Sequence, residues 1–280
     1  MTVAHSLLVG FLKKLHQDKL ILPTLPEQVM EIQSVVNDDN SEIKDIAVAI
    51  GKEQALSARV IKVANSSMYR RGVACDSLAG AVARIGLIQI QNIVTSVAVE
   101  QIFLSSNEQV RAAMNQVWNK SIEVMATACS LLHLHKQSHP ECRLKNDTLM
   151  LAGLVHNIGA LPIITEAEQF PEEFKTQEEL NEISRKLQGP VGVATLKKWD
   201  FPEDIILVVE RWADITFLTE EVSYVDFIRA SAIIAGELKS KAPLAQRLAV
   251  FIEKGLPVTE ETLASDDYLT HYQSIKQSYE

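Results

Sequence analysis

The 280-residue chain is poor in cysteine, glycine and proline, with 3, 11 and 9 of each. Cys75, Cys129 and Cys142 are odd in number, far apart and without a CxxC pair. Neither a disulfide framework nor a structural zinc knuckle is supported, and a reducing cytosol is the expected setting. Scarce Gly and Pro leave little material for many short strands and tight turns. No apolar run looks long enough to cross a bilayer, and the N-terminus lacks a cationic n-region and a cleavage site. No membrane span and no signal peptide are therefore expected, and the expected location is cytoplasmic. No solenoid-period repeat or low-complexity tract occurs. A formal net charge of −9 argues against general, charge-driven nucleic-acid binding. There is no GxSxG elbow, no HExxH and no cysteine in a glycine-rich turn, so no nucleophile is marked. Gly189-Pro190-Val191-Gly192 lacks the length and the preceding strand of a phosphate loop.

The chain is 47% hydrophobic and 22% charged, enough to bury a sizeable core. Its length permits one large domain or two modest ones. Apolar spacing of three and four predicts helices almost throughout. Leu7, Leu8, Phe11, Leu12 and Leu15 mark one over about 4–19, and Leu-Pro-Thr-Leu-Pro at 22–26 breaks it. Pro26 suits the first turn of the next. Asn37 to Ser41 supplies a turn and an N-cap, and Gly51 ends the helix that carries Ile43, Ile46 and Ile50. A further helix over 54–64 stops at Asn65-Ser66-Ser67. Asp76 or Ser77 caps the next, and Gly86 ends it with a left-handed backbone. Long helices follow over 87–104 and 117–135. Asp147 is placed to cap the helix that ends at 157–159. Residues 166–182 hold seven glutamates and one lysine, which predicts a solvated acidic connection. Val191 to Trp199 predicts a short helix, Pro202 opens another through Val209, and Tyr224 to Leu238 is apolar and helical. The polar tail after Leu256 is expected to be only partly ordered.

Two constellations invite a chemical reading. His135 and His139 are four apart, as are Cys129 and His133, a spacing that puts each pair on one helix face. Exposed imidazoles at a helix end explain the first pair, and burial explains the second. Residues 52–92 carry Lys52, Arg59, Lys62, Arg70, Arg71 and Arg84 against only Glu53 and Asp76. Arg59, Lys62, Asn65, Ser66, Arg70, Arg71 and Arg84 could receive an anion or a partner. The plainer reading is a solvated face in which Asn65 and Ser66 bond to loop backbone.

Three phrases carry a family resemblance. The first is Leu-Pro-Thr-Leu-Pro at 22–26. The second is the run from Ala55 to Ser66 followed by Ser77 to Gly86. The third is Leu151-Ala152-Gly153-Leu154-Val155-His156-Asn157-Ile158-Gly159, with Val191-Gly192 and Trp199-Asp200-Phe201-Pro202 downstream. Together they resemble the HDOD family, the HD-related output domain of bacterial signalling proteins, over about residues 18–235. The resemblance implies an all-α fold: an N-terminal helical subdomain (1–105) packed on a degenerate HD-like helical lobe (106–280, with a C-terminal extension). It also implies a regulatory role.

The third phrase is similar to the helix that carries the His-Asp pair of metal-dependent HD phosphohydrolases, with Asn157 where the acid would stand. A neutral amide binds a hard divalent cation far less well than a carboxylate. The other ligand positions that the resemblance implies fall on Lys120, Gln188, Trp212 and Ser231, so His156 alone survives. Trp212 is expected to fill the old pocket and block a cavity beside His156. The expectation is a stand-alone, non-catalytic signal-transduction module without metal or other cofactor, acting by association with an unidentified signalling protein or a small ligand. The alternatives are an HD-type metal-dependent phosphohydrolase and a nucleic-acid-binding regulator that uses the basic stretch 52–92.

Overall fold

The computed structural model of the protein describes residues 9–11, 13, 14, 17, 20, 22, 23, 26–38, 40–66, 69, 72–102, 108–169 and 177–279. Leu7, Leu8, Leu12 and Leu15 of the expected first helix lie outside these residues, as do Thr24, Leu25, Arg70 and Arg71; residues 9–11 are helical, and Phe11 is buried. Among the described residues there is no strand. The helices are α1 (Glu27–Asn37), α2 (Ile43–Gly51), α3 (Gln54–Ala64), α4 (Leu78–Ile85), α5 (Leu87–Ile102), α6 (Glu108–Ser138), α7 (Asn146–Val155), α8 (Ala160–Gln169), α9 (Gln177–Lys198), α10 (Glu203–Arg211), α11 (Tyr224–Ile234), α12 (Leu244–Glu253), α13 (Glu260–Leu263) and α14 (Asp266–Gln277).

Local chemistry sets most of the ends. Pro26 and Pro202 stand at the N-caps of α1 and α10. Ser77 caps α4, its hydroxyl accepting from the Gly80 N–H at 3.2 Å. Gly86 ends α4 at φ +97°, a backbone that only glycine adopts cheaply. The N-cap of α2 is Glu42 rather than a residue of 37–41. Asp45 reaches back to the Glu42 N–H at 3.0 Å and closes a reciprocal box that the turn residues cannot make. Asp147 is not a cap either. It is buried in the first turn of α7 and accepts from Asn92 Nδ2 at 2.8 Å, which ties α7 to α5.

Helix α7 is the middle of the molecule, with α6 on one side and α5 on another. Residues 149–164 are all buried, so their sequence is apolar on every face rather than on a stripe. By length and composition Asn146–Glu166 could cross a membrane, which amends the expectation that no such run exists; 89% of that window is buried inside the fold. The close approach of α6 rests on Gly153, where a Cβ would stand 2.7 Å from the Met125 Cα. One buried apolar cluster runs from Val29 in α1 to Tyr279 beyond α14.

Three expectations need correction. Residues 191–199 do not form a short separate helix: α9 runs for 22 residues through Pro190. Gly192 lets it pack closely, since a Cβ there would meet Val209 Cγ1 at 2.6 Å. That burial outweighs the hydrogen bond that Pro190 forfeits. Glu166 is not solvated but buried, paired with Lys14. The tail after Leu256 is ordered. Tyr268, His271 and Ile275 of α14 are buried against α6, and Tyr279 places its ring 5.0 Å from the Arg59 guanidinium and its hydroxyl 3.2 Å from Ser96 Oγ.

Candidate functional site

The site forms where α7 ends. His156 is the C-cap of α7 and is fully buried. Its Nδ1 lies 2.6 Å from the Gly153 carbonyl oxygen, and its Nε2 lies 2.8 Å from Glu237 Oε2. Both ring nitrogens thus face acceptors, so a hydrogen must sit on each line. Trp212, the C-cap of α10, sets its ring edge-on to His156 at 4.7 Å between centroids.

Asn157 is also buried. Its Oδ1 accepts from Ser121 Oγ at 2.8 Å, and its Nδ2 donates, at 3.5 Å each, to the Val117 carbonyl and to Glu237 Oε1. The amide therefore has one donor and two acceptors where it needs them. Behind it, Gly159 presses on α9, where a Cβ would overlap the Gln188 carbonyl oxygen and stand 2.5 Å from the Gly192 nitrogen.

His156, Asn157 and Trp212 are thus brought together. The side chain that reaches Asn157 from α6 is Ser121, one residue beyond Lys120. Lys120 Nζ donates to Glu123 and, at 3.1 Å, to the Ala235 carbonyl. Ser231 is fully buried, and its hydroxyl has no hydrogen-bond partner among the described residues. Gln188 lines a cavity of about 470 Å³ that Trp212 and Glu237 also line. Those two touch His156 on one side and the cavity on the other. Glu237 was not foreseen. It follows Gly236, whose φ of +75° turns the chain back after α11, and Gly-Glu after an apolar helix was the one sequence signal for it.

The cavity has a rigid frame. Arg229 is 3% exposed and donates to three backbone carbonyls: Trp212 at 3.2 Å, Phe217 at 2.6 Å and Arg211 at 2.7 Å. Burial pulls its pKa below the usual arginine value, opposed by Asp226 and Asp214. Asp226 in turn binds Thr219 and Ser223 at 2.6 and 2.8 Å and Lys254 at 2.9 Å. The segment between α10 and α11 is therefore bonded at both ends.

The residue chemistry does not fit a catalytic divalent metal. His156 and Glu237, the two good donors, are bonded to each other, and Asn157, Trp212 and Ser231 add no anionic ligand. Among the described residues, no three His, Cys, Asp or Glu side chains group as a metal site.

The other singled-out residues lie elsewhere. Arg59 Nη2 is 3.0 Å from Glu100 Oε2, whose pKa burial pushes up while Arg59 and Lys62 pull it down. Arg84 donates to the Val73 carbonyl at 2.8 Å and to Asn65 Oδ1 at 3.3 Å. Asn65 bridges the Cys75 N–H and carbonyl at 2.7 Å each, and Ser66 Oγ donates to the Val63 carbonyl at 2.7 Å. Lys62 is exposed. His135 is not an exposed imidazole: it is buried, stacked on His139 at 4.3 Å and 3.1 Å from the Gly255 carbonyl, and burial lowers its pKa. Cys129 is fully buried and its thiol pKa is pushed up by burial; His133 stacks on His271 at 4.3 Å.

Comparison with known proteins places the fold. The HDOD domain family matches residues 22–214. A crystal structure from Shewanella amazonensis SB2B, of a provisionally named metal-dependent phosphohydrolase, is 56% identical over all of both chains with a TM-score of 0.97. One from Marinobacter aquaeolei VT8, provisionally named a signal transduction protein, is 22% identical with a TM-score of 0.62, and the alignment covers 92% of this chain and 59% of that one. That likeness shows the fold alone. An uncharacterized protein of Treponema pallidum (strain Nichols) is 25% identical over 215 residues, which are 71% of this chain and 39% of the relative. The chain thus spans about two-fifths of that curated relative.

Proposed function

The chain belongs to the HDOD family, and on that premise we propose that it is a non-catalytic bacterial regulatory module, acting in the cytoplasm through helix surfaces on a partner protein. The single observation that carries the reading is the 2.8 Å bond between His156 Nε2 and Glu237 Oε2. The imidazole that would hold a metal is spent on a side chain of its own fold. Opening it to a cation would strip a buried pair and leave Asn157 as an amide beside the ion.

A second reading is an HD-type metal-dependent phosphohydrolase. The name of the 56%-identical Shewanella protein favours it. It needs several His and Asp donors on one ion, and the donor set beside His156 speaks against it. A regulator that binds nucleic acid through 52–92 is the weaker third reading, since Arg59 and Arg84 are engaged by their own fold. Metal analysis of the purified chain, together with a phosphodiesterase screen with and without chelator, separates the first two. The regulatory reading expects no chelator-sensitive turnover, and such turnover would refute it. Affinity capture from the native cell then identifies the partner.

A further inference from the structure

The charged groups around the cavity beside Trp212 are already engaged by the fold. Arg229 closes the wall and donates to three backbone carbonyls, Arg247 of α12 donates to the Leu238 carbonyl, and Arg185 of α9 has a partner as well. Glu237, the carboxylate of the lining, holds His156 and Asn157. Lys239 stands exposed at the mouth, in water. The interior therefore offers a ligand apolar surface and one neutral amide rather than charge. Gln188 of α9 lines the wall half-buried, and its side chain has no hydrogen-bond partner among the described residues. An amide held partly out of water with neither its N–H nor its oxygen paired gains most from a ligand that answers one or both.

Phe251 and Trp212 are buried in the lining, while Ile215, Leu218 and Val250 stand round the mouth at 71%, 67% and 36% exposure. Apolar side chains in water cost free energy, and a free loop would turn them inward. This loop is not free. It is held between the Arg229 bonds to residues 211, 212 and 217 and the Asp226 bonds to residues 219 and 223. Apolar surface gathered at the mouth of a cavity and fixed in place marks a binding site, because little ordering is left for a ligand to impose. At about 470 Å³ the cavity has the size of sites that take small organic molecules, about 300–1,000 Å³.

We propose that this cavity binds a small neutral organic molecule, its apolar body lying on Trp212, Leu218 and Phe251 and its carbonyl or amide group hydrogen-bonded to Gln188. A carboxylate or phosphate buried there would need a free cation to pair with, and the interior supplies none. The molecule lies on the side of Trp212 away from His156, so His156 takes no part in binding. The assignment rests on the regulatory reading and deepens it by naming a ligand class: once bound, the molecule bridges α9, the segment 213–218 and α12.

The test uses the full chain with chelator present, so that no metal contributes and failure here leaves the non-catalytic reading standing. Neutral N-phenyl-1-naphthylamine is titrated beside its anionic relative 8-anilinonaphthalene-1-sulfonate. The neutral probe is expected to saturate one site, to bind at least as tightly as the anion, and to keep its affinity as salt rises. Ile215→Asp and Leu218→Asp should each weaken it by about tenfold with unchanged melting. Both side chains are exposed, so folding is not at stake. Octanamide and octanoate, alike in length and unlike in charge, then compete for the site. Octanamide should displace the probe at a concentration about tenfold lower than octanoate does. Gln188→Leu should weaken octanamide by about fivefold and leave the probe unchanged. No saturable binding of the neutral probe, tighter binding of the anion that salt weakens, no loss in either rim variant, equal displacement by the two competitors, or an octanamide affinity unmoved by Gln188→Leu would overturn the assignment.

Discussion

Restoring the acid at position 157 is the most informative perturbation. Asn157 is 5% exposed, and its Nδ2 lies 3.5 Å from Glu237 Oε1 and 3.5 Å from the Val117 carbonyl oxygen. Asn157→Asp replaces that donor with a second carboxylate oxygen facing two acceptors. At the 3.5 Å separation, two like charges repel by about 5 kcal/mol at an effective dielectric of about 20. The bond between His156 Nε2 and Glu237 Oε2 at 2.8 Å offsets part of this, and Ser121 can still donate. A net loss of about 2–3 kcal/mol remains, equivalent to a fall of about 3–5 °C in melting temperature for a chain of this length. Urea and thermal denaturation of the two chains, each with and without millimolar manganese, measure it. The expected result is a less stable variant that manganese does not rescue. A variant as stable as the parent, or one that manganese stabilises by more than about 2 kcal/mol, would show that the pocket is still a metal site lacking one ligand.

Three further outcomes follow from named contacts. Glu237→Ala leaves the buried His156 without its partner and should cost about 2–4 kcal/mol in urea denaturation, whereas Glu237→Gln, which keeps an acceptor, should cost about 1 kcal/mol; equal effects would mean that the carboxylate is not what holds the ring. Gly159→Ala drives a methyl into the backbone of α9 and should cost about 3 kcal/mol or more, or abolish soluble expression; a neutral result would contradict the close approach of α8 and α9. His271 has its pKa lowered to about 4, chiefly by burial and then by His133. The unfolded chain therefore binds the extra proton between about pH 6.5 and 4. The stability that a neutral His271 contributes is complete above about pH 6.5 and is lost as pH falls towards 4, at most about 3 kcal/mol. His271→Gln should flatten the stability profile over that interval, and identical slopes in parent and variant would refute the assignment.

The parts of the fold that could be read from the chain are those with a local cause. Pro26, Ser77, Gly86 and Pro202 act within one turn of themselves, and the structure puts helix ends at each. The stretch from Leu149 was expected as a helix but not as the central one, which only its burial on every face reveals. What escaped depended on distant partners. Gly189-Pro190 is a break by its own propensities, and only the contact of α9 with α10 and Gly159 makes it helical. Glu166 looks like one of seven solvated glutamates until the fold brings Lys14 to it across 152 positions. The C-terminal stripe of Tyr268, His271, Ile275 and Tyr279 has helical spacing, but its aromatic and imidazole members do not stand out in a polar tail.

The same distinction divides the site. His156, Asn157 and Trp212 stood out because they sit in recurring motifs or at measured distances from them. Glu237 and Ser121 did not, since each acts on α7 from another helix or turn, Ser121 carries no local signature and the Gly-Glu step marks only a helix end. Yet these two decide the chemistry, one by occupying the imidazole and the other by anchoring the amide.

His156 is engaged by Glu237 rather than by a cation. Metal stoichiometry of the native chain, purified without chelator from cells supplied with iron, manganese and zinc, addresses this directly. The expected result is substoichiometric metal that is unchanged in His156→Ala. One or two ions per chain, absent from His156→Ala, would contradict it.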